Sequence, residues 1–62
     1  MNKVISVSYY SYVTNKRQSI SLFVIEEYKK SYLVNHPYYG EIEVMKDGSE
    51  NEHGVSLNKE NE

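Results

Sequence analysis

Cysteine, tryptophan and alanine are absent from this chain, proline occurs once, and glycine three times among 62 residues. Without cysteine there can be no disulfide framework and no thiolate zinc site. Without alanine, and with leucine present only three times, the composition turns away from helix and toward strand. No apolar run reaches the roughly 7 residues of a signal-peptide core or the roughly 18 of a membrane span. A cytoplasmic protein without a membrane role is therefore expected. Apolar residues are also scarce in one region: only Val55 and Leu57 follow Met45, whereas 22 lie between Met1 and Met45.

Charge divides at the same place. Residues 1–46 carry six basic and four acidic side chains, and residues 47–62 carry five acids and one lysine, which gives a net charge of −2 overall. The reading is a small domain over residues 1–46 and an acidic, disordered tail over residues 47–62. About 46 residues is close to the roughly 40-residue floor for a self-sufficient core. Disulfides being excluded, association with another copy is the expected aid to stability, and no cofactor is implied.

Within the domain the apolar residues alternate. Ile5, Val7, Tyr9, Ser11 and Val13 share one face of a strand, with Val4, Ser6, Ser8, Tyr10 and Tyr12 on the other. The polar stretch 14–18, containing Asn15, reads as a hairpin loop. Leu22 to Ile25 is apolar on both faces, which predicts a strand covered twice: by other strands, by the tail or by a second subunit. Residues 26–31 lack Gly, Pro, Asn and Asp, and Glu26 with Lys29 and Lys30 has helical spacing. Pro37 and Gly40 stand where a β-turn needs them, and Glu41 to Lys46 alternates again. The expected fold is all-β, a small antiparallel meander of three to four strands with a flexible acidic tail. The alternative is an α+β fold with a helix within residues 16–34. Val55 and Leu57 could add one short strand against an exposed edge.

No catalytic motif is present: there is no cysteine nucleophile, serine elbow or glycine-rich phosphate loop. A non-enzymatic protein is expected. His36 and His53 stand 17 positions apart with no ligand-spaced partner, so no metal site is expected. His36 reads as a surface hydrogen-bonding residue and His53 as part of the tail. The seven tyrosines are the strongest chemical signal, because tyrosine combines large apolar area with few rotors to freeze.

The candidate binding residues are Tyr10, Tyr12, Lys16, Arg17, Tyr38 and Tyr39. They suit a small protein-protein interaction module of the inhibitor or adaptor type, which uses a tyrosine-rich sheet face or an open sheet edge to hold another protein or its own copy. The alternative is a single-stranded nucleic-acid binder in which rings stack on bases while Lys16, Arg17, Lys29 and Lys30 track phosphates.

Overall fold

Alternation in the sequence becomes alternation in space along β1 (Val4–Ser11), whose odd-numbered residues are buried and whose even-numbered ones face outward. A computed structural model describes residues 3–58 of the chain. β1 turns at Asn15, which adopts φ 59° while its N–H donates to the Ser11 carbonyl at 2.8 Å. Asparagine tolerates this left-handed conformation. The hairpin returns as β2 (Lys16–Glu27), followed by β3 (Ser31–His36), β4 (Gly40–Met45) and β5 (Ser56–Leu57). All pairings are antiparallel, in the order β4-β3-β2-β1-β5. The meander expected from sequence is therefore present, and β5 is the added strand at its edge.

β2 belongs to two sheets. Lys16 to Phe23 pairs with β1, while Val24, Glu26 and Glu27 pair with β3, and the register shifts at Ile25. Such a bulge bends a strand and sharpens its twist, so the β2-β3-β4 layer folds across the β5-β1-β2 layer. The core lies between them. Ile5, Val7, Tyr9 and Leu22 come from one layer, Val34, Ile42 and Val44 from the other, and Val55 from the connection before β5.

Residues 26–31 are strand and turn, so the alternative helix within residues 16–34 is not formed. The reversal lacks turn-forming residues but is closed by the Tyr28 N–H donating to the Ser31 carbonyl at 2.8 Å. Glu27 anchors it from outside, accepting from Lys46 Nζ at 2.7 Å and lying 3.8 Å from Lys3 Nζ. These cations hold the Glu27 carboxyl below its ordinary range, Lys46 by its hydrogen bond first. Both lysines also lie over the Tyr32 ring, at 4.7 and 5.0 Å from its centroid.

The boundary expected at residue 46 does not coincide with the edge of the core. Val55 is 0% exposed, held by a loop organised around Asn51. The Asn51 side chain accepts from the N–H groups of His53 and Val55 at 2.8 and 3.0 Å and donates to the Glu43 carbonyl at 2.7 Å. The Asn51 side chain thereby satisfies backbone groups that water would otherwise claim. The rest of the expected tail, residues 59–62, lies outside the described residues. Among the described residues no helix is long and apolar enough to cross a membrane.

Candidate interaction surface

The six candidate residues gather at one end of the molecule but form two groups. Tyr10 and Tyr12 stand on the outer side of the β1–β2 hairpin, with ring centroids 5.1 Å apart in edge-to-face contact. The Tyr10 hydroxyl donates to Asn15 Oδ1 at 3.4 Å, and Tyr12 is 76% exposed beside Val13 at 78%. Lys16 and Arg17 begin β2 next to them. Arg17 is partly engaged: it donates to Ser8 Oγ at 3.2 Å and to the Gly54 carbonyl at 3.3 Å, and lies 3.6 Å from Glu50. Lys16 has no ion-pair partner among the described residues.

Tyr38 and Tyr39, on the β3–β4 turn, belong to a different cluster. Pro37 starts that turn and Gly40, at φ 76°, completes it, which folds both rings over His36. Tyr9 joins this cluster from the buried face of β1, with its ring 5.7 Å from Tyr38 and 4.6 Å from His36. Burial pushes the Tyr9 hydroxyl above its ordinary pKa, with the Tyr38 hydroxyl adding to the shift. His53 stacks on Tyr39 at 4.6 Å and 18°.

His36 is not the surface residue that its sequence position suggests. It is 1% exposed. Its Nδ1 accepts the Tyr38 N–H at 3.1 Å, so the hydrogen of the neutral ring sits on Nε2, which is buried without a partner. Burial lowers its pKa, and His53 lowers it further. Three rings, those of Tyr9, Tyr38 and Tyr39, pack around it. This cluster is a packed end of the core from which Tyr38 protrudes.

The nucleic-acid arrangement loses its geometry. Lys16 and Arg17 lie at the start of β2, while Lys29 and Lys30 lie in the turn beyond its far end. The two basic pairs thus stand at opposite ends of β2, with Tyr10 and Tyr12 beside the first. Glu41, Glu43, Glu50 and Glu52 instead line an open groove of about 580 Å³ beside β4, which would repel phosphates. Among the described residues no group of three or more His, Asp or Glu side chains is placed to hold a metal ion.

Sequence reasoning missed the outer face of β2. Phe23 is 68% exposed, opposite the half-exposed Val4 and next to the exposed Ile25. The double-sided apolar run predicts a strand covered twice, yet this chain covers only the side bearing Leu22 and Val24. The same strand has an open backbone edge. Because the Val24 N–H donates to Lys3 O at 2.8 Å and backbone direction alternates, the even-numbered residues of β2 bond to β1. Arg17, Ser19 and Ser21 aim their N–H and C=O groups the other way. Among the described residues no strand lies there, since β3 reaches β2 only from Val24 onward.

No protein-family model, curated protein sequence or solved structure matches this chain.

Proposed function

We propose that the protein is a non-enzymatic interaction module that binds a protein partner, whether another chain or its own copy, through the open edge of β2 and the apolar side chains around it. The observation that carries this reading is Phe23. A phenylalanine two-thirds exposed at the middle of a sheet forgoes about 1.5–3 kcal/mol that burial of the ring would supply. It lies beside Val4 and Ile25, and the nearby backbone groups of Arg17, Ser19 and Ser21 are ready for strand addition. Tyr10 and Tyr12 extend the exposed surface at the hairpin end, and Val13, which alternation assigns to the buried face, is 78% exposed because the strand has already given way to the turn there. Two thin layers enclose a core but offer no deep enclosed site for a reacting small molecule.

A photo-cross-linking aromatic residue at position 23, irradiated in native cell extract with and without nuclease, tests this. The expected product is a discrete protein adduct that resists nuclease and disappears when Ser21 is also changed to proline. Adducts that vanish with nuclease would favour a nucleic-acid partner instead. The absence of any discrete adduct at position 23 or at position 12 would refute the proposal.

A further inference from the structure

We infer that the occupant of the β2 edge is a second copy of the same edge, paired antiparallel about a two-fold axis near Ser19. The inference deepens the reading given above and rests on it.

Four observations select a copy of this chain. The first is the contrast between the sheet margins. β4 is guarded: its outward backbone positions carry Glu41 and Glu43, and Asn51 caps the Glu43 carbonyl at 2.7 Å. Charges and caps are how natural edges resist pairing. Along β2 the corresponding outward positions past Arg17 are Ser19 and Ser21, which put no charge in the path of an incoming strand.

The second observation is charge. β2 begins with Lys16 and Arg17 and ends with Glu26 and Glu27. An antiparallel copy centred on Ser19 sets Lys16 and Arg17 against the uncharged side chains of the partner's Leu22 and the partner's Ser21, whereas a parallel copy in register would bring like charges together. Two copies meeting along β4 would instead oppose carboxylates to carboxylates.

Third, the exposed apolar residues occupy opposite ends of the same strand. Tyr12 and Val13 project from the hairpin before β2, and Val4, Phe23 and Ile25 cluster near its far half. Antiparallel pairing carries each hairpin tip toward the partner's Phe23 patch, so one two-fold operation covers both exposed groups. This self-complementarity is what an isologous interface requires.

The fourth is fit. With Ser19 opposite Ser19 of the partner subunit, Arg17 faces the partner's Ser21, and the ladder supplies about six backbone hydrogen bonds. It stops before Val24, where β3 takes over the edge in each chain. Ile20, half-buried on the core side, gains cover from the strand beside it.

The test is the association state of the purified full chain, measured by sedimentation equilibrium from micromolar to about millimolar concentration. A reversible dimer is expected. Ser21→Pro removes an N–H that faces only the open edge, so the β1–β2 ladder stays intact. It should weaken association at least about tenfold while circular dichroism remains unchanged. Ser19→Lys, which sets two like charges against each other at the two-fold axis, should weaken it likewise. Glu41→Lys on the β4 edge should change nothing.

A chain that stays single at millimolar concentration overturns the inference, as does a dimer indifferent to both Ser21→Pro and Ser19→Lys. If the single chain still forms a nuclease-resistant adduct through position 23 with a different protein, the broader reading survives without the dimer. If neither association nor adduct is found, both fall.

Discussion

The two flanks of this molecule treat exposed strand in opposite ways. Along β4 the middle outward position is answered within the chain: Glu43 accepts from Ser31 Oγ at 2.8 Å, its carbonyl is capped by Asn51, and the strand ends in a reversal closed by the Gly48 N–H on the Met45 carbonyl. Along the first half of β2 no strand among the described residues pairs with the outward backbone, and Phe23 stands beside the gap. Both strands turn apolar residues toward the core, Leu22 from β2 and Ile42 and Val44 from β4. What separates them is whether the outer face and free backbone are resolved inside one chain or left for another.

The sharpest way to break that contrast is to place the same charge on each side. Val44→Asp puts a carboxylate on a fully buried inner position of β4 and should cost about 4 kcal/mol or more, enough to abolish the two-state transition of so small a domain in a denaturation experiment. Phe23→Asp should leave stability of the single chain within about 0.5 kcal/mol. Equal losses at the two sites would show that Phe23 is part of the core.

Next in size is Asn51→Ala. It removes the cap on Glu43 and two acceptor contacts to the loop, so urea unfolding should report a loss of about 1–2 kcal/mol. Amide exchange at Val55, whose N–H bonds to Asn51, should rise with it. If neither changes, the β4 edge is not guarded by this residue.

His36 supplies a smaller, pH-dependent effect. Its folded pKa lies below the ordinary 6.5, so on acidification the unfolded chain takes up the proton first. Stability is then fully present above about pH 6.5 and declines as pH falls below it toward the lowered folded value. The groups facing the ring are Tyr9, Tyr38 and Tyr39, with His53 beyond Tyr39. His36→Gln keeps an acceptor for the Tyr38 N–H and should flatten the decline between pH 5 and 7 in thermal melts. An unchanged slope would assign the titration elsewhere. The smallest effect expected is that of Tyr12→Ala, within about 0.5 kcal/mol on stability, because the ring rests only on Tyr10.

Much of the architecture was legible from period and turn chemistry. The buried faces of β1 and β4, the hairpin at Asn15 and the reversal ending at Gly40 follow from alternation and from residues that tolerate positive φ. The β2–β3 reversal was not, because its stability comes from Lys3 and Lys46 converging on Glu27, which are tertiary contacts. Val55 was hidden in a polar segment. Its signal was the pair Val55 and Leu57 after Gly54, too short to outweigh the surrounding charge.

For the site, alternation correctly put Tyr10 and Tyr12 on the outer face but could not say that Phe23 would remain uncovered. Period reports which side chains share a face, and only the count of available layers decides whether that face is met. His36 was misread for a related reason: its burial comes from Tyr38 and Tyr39 folding back over it.

Val55 also sets the order in which the protein can be finished during synthesis. It fills the gap between the layers, yet it is made after every strand of the meander. β5 then docks on β1 through Val7 and Leu57, Ser8 and Ser56. A nascent chain emerging from the ribosome therefore carries an unsealed sheet until Leu57 clears the exit tunnel. Joining ends so far apart in sequence is the slow, entropically costly step of such a topology.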